Sequence, residues 1–228
     1  MAASEDLANK MSEFRRRFVV ELATHPDDIL AACQLRHQVY CVERKFEPAA
    51  PALLETDEFD DCAYHVVLRE CVSREVLGTV RLVPATPVGP GFPMEGACGP
   101  TLLRILPRAT TAEVSRFAIS KERRDIGSST ASLLRLSLVQ GAIRVSRSLG
   151  LTHWCAAMEP SLLRLLTSTG IHFQRLGPLV EYHGIRQPAS ADIANLLDRM
   201  YGEQPELWAF VINCQGYPRA EWTYAEAG

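Results

Sequence analysis

The feature that most constrains this chain is the stretch Thr111–Ser120, which is apolar enough to be buried and yet carries two opposite charges. Its apolar and small residues are typical of a strand inside a sheet. Glu113 and Arg116 lie within it, and an unpaired charge is costly to bury. The chain must therefore pair these two side chains or use them, so the stretch predicts both a central strand and a candidate site.

The segment that follows this strand is basic, contains a glycine and leads into a long apolar helix, Ser128–Leu149. A strand, a glycine turn and a helix start can hold an anion, because free backbone N–H groups at the helix start point at it. The turn therefore predicts a phosphate-binding position. Its candidate residues are Lys121, Arg123, Arg124, Gly127, Ser128 and Ser129.

Charge and composition exclude several classes of protein. The net charge of −3 over 228 residues gives no general basic field for nucleic acid. No apolar run approaches the roughly 20 residues of a membrane span, and the polar, acidic start of the chain does not resemble a signal peptide. We therefore expect a cytoplasmic protein without a membrane segment.

The cysteines give no sign of a disulfide framework or a metal site. There are 7, an odd number, and none forms a CxxC pair or lies beside a histidine at zinc-ligand spacing. We therefore expect reduced thiols and no metal. Cys155, in a predicted strand, is interpreted as a small core residue rather than a nucleophile.

The order of predicted elements indicates a mixed α/β fold, with a mixed sheet and helices on both faces. No linker or internal repeat divides the chain, so we expect one domain over residues 1–228. The predicted helices are 4–14, 26 to about 41, 128–149, 159–170 and 190–200, the last with Ser190 as its cap. The predicted strands are 18–22, 62–69, 75–83, 111–120, 151–158, 171–176, 180–185 and 207–213. Residues 84–100, rich in proline and glycine, predict an irregular wall of a pocket.

Charged residues within and outside the central strand indicate one network, formed by Arg36, Asp57, Asp60, Arg81 and Arg116. Arg36 lies on one helix face with Tyr40 and Glu43, and Arg81 lies inside a predicted strand. Five carboxylates crowd into Glu55–Asp61 and repel one another, so some need cationic partners. The network can bind a substrate or act purely as a scaffold, and for Asp57 and Asp60 the sequence leaves both readings open.

The residues in this order resemble a known family, the acyl-homoserine-lactone (autoinducer) synthases, which are similar in fold to the GNAT N-acyltransferases. The pattern consists of Arg36, Tyr40, Phe46, Asp57, Asp60, Gly78, Arg81, Pro84, Glu113, Ser115 and Arg116. Residues 158–166 and 181–188 resemble a sister group, the PEP-CTERM/exosortase-associated acyltransferases, which are related to the N-acyl amino acid synthases. The resemblance spans residues 15–213 and implies a GNAT-like fold with a central, mostly antiparallel sheet.

The resemblance also implies a reaction: an amine attacks an acyl thioester, with Glu113 as general base and Ser115 and Arg116 beside it. It places the acceptor, a small amino acid, near Arg36, Tyr40, Phe46, Asp57, Asp60 and Arg81. The basic turn would hold the phosphopantetheine of an acyl carrier protein, or coenzyme A, as donor, and no tightly bound cofactor is implied. The chain departs from the family pattern in having Tyr40 for phenylalanine, Phe46 for tryptophan and Ser129 at the end of the turn.

Several alternatives stay open at this stage. Glu113 can instead form a structural ion pair, with Arg81 as the better partner, because strand alternation separates Glu113 from Arg116 unless a bulge intervenes. The four leucines between 162 and 166 are expected to pack the core rather than line an acyl tunnel. Competing functions are lactone synthesis from S-adenosylmethionine, coenzyme A-dependent N-acyl transfer, and acyl binding without turnover.

Overall fold

The computed structural model describes residues 2–48, 51–86, 91–121 and 128–212, and their centre is an eight-stranded sheet. Its order is β1-β2-β3-β4-β5-β8-β6, with β7 paired to β8. Only β4 and β5 run parallel among these pairs, so the predicted mixed, mostly antiparallel sheet is confirmed. The strands are β1 Phe18–Leu22, β2 Tyr64–Glu70, β3 Val76–Pro84, β4 Thr111–Ile119, β5 His153–Met158, β6 Gln174–Arg175, β7 Val180–Glu181 and β8 Ile185–Asp192.

Helices cover both faces of this sheet. They are α1 Ala2–Arg17, α2 Pro26–His37, α3 Glu95–Cys98, α4 Ser128–Ser148, α5 Pro160–Thr167, α6 Ile193–Glu203 and α7 Pro205–Ile212. None of the helices in the described ranges has the length and apolar character that crossing a bilayer requires. The apolar face of α4 packs with alternate residues of β2 and β3 in the main core, whereas α2 packs on the opposite face.

A close approach between α4 and the sheet depends on Gly141. A methyl group at this position would overlap the side chain of Val66 and lie 2.9 Å from Cγ2 of Val20. Both valines are buried, so neither can move aside cheaply. The glycine therefore fixes how near the long helix lies to β1 and β2.

The helix that begins at Pro26 changes character near its end. After His37 the chain continues as a π-helical segment, Gln38–Glu43, in which the N–H of Arg44 donates to the Val39 carbonyl at 3.0 Å. The N–H of Phe46 then donates to the Tyr40 carbonyl at 2.8 Å. π-Helical turns are common at functional sites, and this one brings two aromatic side chains to the cavity described below.

Four predictions about the C-terminal third are wrong in the type or in the extent of the element. Ser190 does not cap a helix, because residues 185–192 form β8, which pairs with β5 on one side and β6 on the other. Asp192 caps α6 instead, and its side chain accepts a hydrogen bond from the Asn195 N–H at 2.9 Å. Long-range pairing overrides the local capping signal. The predicted strands 171–176 and 180–185 shrink to β6 and β7.

The predicted last strand, 207–213, is a helix in its described part. Pro205 starts α7, where its missing N–H costs nothing. The Gln140 amide of α4 donates to the Phe210 carbonyl at 2.9 Å, and the Phe210 ring packs edge-on against Phe14 at 5.8 Å. Burial against two other helices therefore decides a conformation that the short apolar run leaves ambiguous.

Two irregularities of β4 prepare the site. Its pairing with β5 covers Thr111–Glu113, and both strands continue beyond that point. Its register with β3 shifts near Arg116, whose φ of 52° lies in the left-handed region. A β-bulge of this kind bends a strand and redirects a side chain.

Candidate active site

A cavity of about 190 Å³ opens where the β4–β5 ladder ends. Glu113 is the last residue of β4 that pairs with β5. The cavity is lined by the residues that follow it on β4 and by Ala157 and Met158 at the end of β5. The opening between the two parallel strands thus exposes the middle of the sheet. The other lining residues come from the π-helical segment and the loop after it, from α4 and α5, and from the turn between β7 and β8.

Glu113 lies at the wall of this cavity but is almost entirely buried, with 1% of its surface exposed. Its carboxylate accepts a hydrogen bond from the Met94 N–H at 2.8 Å. Burial raises the pKa of Glu113 to about 8, against the opposing effects of that hydrogen bond and of the Arg81 and Arg116 charges. A carboxyl group with this pKa can exchange a proton with an amine near neutral pH.

Three arginines and three carboxylates form one closed network beside Glu113. Arg36 forks onto Asp60, at 2.7 and 3.0 Å, and Arg81 forks onto Asp57, at 2.5 and 3.0 Å. One oxygen of Asp60 also accepts from Arg81 at 2.7 Å, so it bridges the two forks. The planar guanidinium suits this bidentate geometry.

Arg116 completes the network through its redirected side chain. Its Nε donates to Glu55 at 2.8 Å and its Nη2 to Asp57 at 2.8 Å. Glu55 also pairs with Nε of Arg36. The sequence indicated the network and three of its arginines, but missed Glu55 as a member.

The network is strongly coupled electrostatically. Burial alone would raise the pKa of Asp60, but hydrogen bonds and charges of Arg36 and Arg81 hold it well below its usual range. The pKa of Asp57 is likewise lowered, against its burial, by Arg81 and Arg116. Three positive and three negative charges therefore balance one another and tie the segment of Glu55, Asp57 and Asp60 to α2, β3 and β4.

The structure separates the predicted site residues into two groups. Glu113, Ser115 and Arg116 line the cavity, as do Tyr40 and Phe46. Four others, Arg36, Asp57, Asp60 and Arg81, form the network behind it and are not among the lining residues.

The structure also tests the alternative of an ion pair between Glu113 and Arg81. Arg81 forks onto Asp57 and donates its Nε to the Ser115 hydroxyl at 3.2 Å, so its guanidinium binds partners other than Glu113. The bulge at Arg116, which strand alternation left open, is present. Glu113 therefore receives a backbone N–H, supplied by the irregular segment predicted to form a wall.

Tyr40 of the π-helical segment and Phe46 just after it bring aromatic rings beside two arginines of the cavity wall. The Tyr40 hydroxyl donates to the Phe117 carbonyl at 3.3 Å, and burial raises the pKa of this phenol. The Arg116 guanidinium lies 5.8 Å from the Tyr40 ring centroid, and the Arg186 guanidinium lies 4.6 Å from the Phe46 ring centroid. Both arginines thus have an aromatic face beside them.

The basic turn predicted to hold a phosphate lies largely outside the described residues, which include neither Arg123, Arg124 nor Gly127. Lys121 is exposed, and its backbone N–H donates to both oxygens of Glu43, at 3.1 and 2.9 Å. Ser128 and Ser129 are the first described residues of α4. The phosphate role of the turn stays a prediction.

Sequence reasoning assigned no role to three cavity residues, two in the turn between β7 and β8 and one at the start of β8. Tyr182 lines the same cavity as Glu113, and burial and the charge of Glu113 raise the pKa of its phenol. His183, at φ 53°, pairs with Glu47, and Arg186 lies against Phe46. Their signal was present in the motif at 181–188, which was recognised for its resemblance but given no chemistry.

The leucines of α5 divide between two environments. Leu166 is buried in the main core, and Leu162 and Leu163 pack against it, as expected. Leu162 and the exposed Leu165 also line the cavity, so the expectation that the leucines pack the core is wrong for Leu165. Cys155 is fully buried, and burial raises the pKa of its thiol well above the usual value.

Comparison with known proteins agrees with this geometry. A family model described as an acetyltransferase (GNAT) domain matches residues 35–134. The crystal structure of TofI, in a ternary complex with an inhibitor and MTA, superposes with a TM-score of 0.63 and 24% identity, over 84% of this chain and 99% of that one. The chain has a GNAT-like fold. The predicted fold class is thereby confirmed.

The chain is also similar to individual acyl-homoserine-lactone and N-acyl amino acid synthases. The acyl-homoserine-lactone synthase of Aliivibrio fischeri is 29% identical over 146 residues, which is 63% of this chain and 73% of that protein. BjaI, a coenzyme A-dependent acyl-homoserine lactone synthase solved with SAM and isopentyl-CoA, gives a TM-score of 0.62 and 25% identity, over 82% and 88% of the two chains. FeeM, an N-acyl amino acid synthase from uncultured soil microbes, gives 0.61 and 15%, over 80% and 94%.

These findings support an acyltransferase related to the acyl-homoserine-lactone synthases, which confirms that part of the resemblance. FeeM extends the likeness of fold to an N-acyl amino acid synthase. The kinship with the PEP-CTERM/exosortase-associated acyltransferases stays a prediction.

Proposed function

We propose that this protein transfers a fatty acyl group from a thioester to the α-amine of an amino acid, forming an N-acyl amino acid. The observation that carries the proposal is the position of Glu113: a buried carboxyl group with a raised pKa at the wall of a cavity that opens between two parallel strands. Perturbed titratable groups in a cleft are typical of catalytic sites. The activities of the related enzymes suggest the reaction class.

The proposed reaction needs one base and no covalent intermediate. The Glu113 carboxylate takes a proton from the ammonium of the acceptor, and the freed nitrogen attacks the thioester carbonyl. Collapse of the tetrahedral intermediate forms the amide, breaks the carbon–sulfur bond and releases the thiol, with one proton in total passing to solvent. A pKa of about 8 suits the transfer, because it lies close to that of the amine it must deprotonate.

The developing oxyanion requires hydrogen-bond donors at the opening. The ladder between β4 and β5 ends at Glu113, so we assign this role to main-chain N–H groups of β4 beyond it. The acyl chain would lie against Leu162, Leu165 and Phe117, which give the cavity an apolar side. The charge network would hold β4 and the loop from Glu55 in place behind the reacting groups.

The finer assignments belong to the same proposal. We propose that the acyl donor is a thioester of acyl carrier protein, whose phosphopantetheine binds at the turn after Ser120. We also propose that the enzyme is cytoplasmic and akin to the PEP-CTERM/exosortase-associated group. The resemblance of residues 158–166 and 181–188 supports this choice. A second candidate, lactone synthesis from S-adenosylmethionine, is favoured by the sequence match to the Aliivibrio fischeri enzyme.

The test is a product assay with a matrix of substrates. Purified protein is incubated with acyl carrier protein thioesters or acyl-coenzyme A, combined with each of the standard amino acids or S-adenosylmethionine. Mass spectrometry then identifies the product. An N-acyl amino acid product supports the proposal. An acyl homoserine lactone product overturns the proposal and supports the second candidate. Acyl binding without any product favours a non-catalytic role.

A further inference from the structure

One buried cation in the cavity is weakly compensated. Arg186 has 8% of its surface exposed and lines the opening, yet its nearest carboxylate in the described structure, Glu159, lies 3.8 Å away. Its Nη1 also donates to the Ile185 carbonyl at 3.2 Å. Burial lowers the pKa of this guanidinium, consistent with a charge that the protein alone does not fully stabilise.

The other arginines described above are paired more closely. Arg36, Arg81 and Arg116 each meet carboxylates at 3.0 Å or less, within the charge-balanced network. Arg44, which also lines the cavity, is much more exposed and lies 3.4 Å from the same Glu159. One carboxylate therefore serves two arginines, and Arg186 is the buried one of the two.

The cavity thus presents opposite charges on its walls, from Arg186 and from ionised Glu113. A free amino acid is a zwitterion, so its carboxylate and its ammonium are complementary to these two groups. The Phe46 ring lies beside the guanidinium of Arg186. A guanidinium edge matches a carboxylate with two parallel hydrogen bonds.

We propose that Arg186 binds the α-carboxylate of the acceptor and so orients its α-amine toward Glu113. This inference rests on the proposed N-acyl transfer and deepens it, because it defines the acceptor class as α-amino acids rather than simple amines. Arg186 is a binding and specificity residue here, and the chemistry remains that of Glu113.

A kinetic test compares each accepted amino acid with its amide, which keeps the amine but lacks the carboxylate. The wild-type protein should use the acid with a kcat/KM at least about tenfold higher than the amide, as expected for a charge-assisted hydrogen-bonded pair. Arg186→Gln should lower kcat/KM for the acid by a similar factor, mainly through KM, and leave the amide and the thioester KM little changed. Arg199→Gln, an identical change at an exposed ion pair on α6, is the control and should alter neither ratio.

A binding test separates this inference from the proposed reaction. Isothermal titration calorimetry measures N-decanoyl-L-phenylalanine and its uncharged methyl ester against the same proteins, with no turnover required. Wild type should bind the acid about tenfold or more tightly than the ester, and Arg186→Gln should bind both alike. Wild type with no such preference, or Arg186→Gln with the preference intact, overturns the assignment.

Two outcomes are then distinguishable. If the acid is preferred through Arg186 but no amide product ever forms, the proposed reaction fails and the carboxylate site stands. If Arg186→Gln does not fold, Arg186→Lys decides, because it keeps the charge and loses the fork. We expect an intermediate preference for the acid from Arg186→Lys, and a full wild-type preference would overturn the assignment.

Discussion

Replacing Glu113 with glutamine should make the protein more stable, increasingly so as the pH rises. The carboxyl group is buried, and its pKa is raised from 4.5 to about 8 on folding. Between these two values the unfolded chain loses the proton while the folded protein keeps it. Folding stability of the wild-type protein must therefore fall with rising pH over this window, by the linkage between proton binding and folding.

The size of the effect follows from the two pKa values. Each unit of difference corresponds to about 1.4 kcal/mol, so at about pH 7.5 the ionisable carboxyl costs the fold about 4 kcal/mol relative to a neutral group. At about pH 5.5 the same cost is about 1.4 kcal/mol. Glutamine keeps an oxygen that can accept from the Met94 N–H and carries no charge, so it removes this dependence.

The assay is denaturant unfolding of wild type and Glu113→Gln at the two pH values. All other titrating groups are common to both proteins, so the difference between them isolates Glu113. We expect the advantage of the glutamine variant to grow by about 2.5 kcal/mol from the lower to the higher pH. A difference that is constant with pH would refute the raised pKa, and a difference that shrinks would reverse its sign.

The remaining predictions concern the network, the packing and the pH dependence of the reaction. Arg36→Met should destabilise the fold by about 3–5 kcal/mol, because it leaves buried carboxylates unpaired. The control, Arg199→Met at an exposed ion pair, should cost below about 1 kcal/mol. Chemical denaturation measures both losses, and equal losses would contradict the burial of the network. Gly141→Ala should cost about 1–2 kcal/mol, because the added methyl group overlaps two valines. The control, Gly202→Ala, has nothing within 4 Å of the added carbon and should be neutral or slightly stabilising. Thermal unfolding measures both, and a stabilised Gly141→Ala protein would show that α4 can move away from the sheet. The kcat/KM for acyl transfer should fall by on the order of tenfold or more from about pH 8 to about pH 6.5 as Glu113 takes up its proton, and a flat profile would exclude this carboxyl as the base.

The sequence predicted the order of elements through α5, except for the four-residue helix α3, because local patterns there are long and strong. Thr111–Ile119 carries enough apolar residues to mark a strand, and Ser128–Ser148 enough to mark a helix on a sheet. Beyond residue 170 the elements are short, and their conformation depends on distant partners. Residues 185–192 become a strand because β5 and β6 flank them, and residues 205–212 become a helix because α1 and α4 cover them.

The candidate site shows a similar division. Charges inside apolar stretches, such as Glu113 and Arg81, were visible from the cost of burying them. The pairing of these charges could not be predicted, because it depends on the bulge at Arg116 and on the loop that carries Glu55. The opening between β4 and β5 is likewise a property of two strands that part in space, and no local pattern encodes it.

The central claim is that Glu113 deprotonates an amino acid amine for attack on a thioester. Its most direct test is quantitative mass spectrometry of the product from wild type and Glu113→Gln, with an acyl carrier protein thioester and the preferred amino acid under saturating conditions. We predict an N-acyl amino acid from wild type and a rate on the order of a hundred- to ten-thousandfold lower from the folded variant. A Glu113→Gln protein that forms the same product at the wild-type rate would contradict the account.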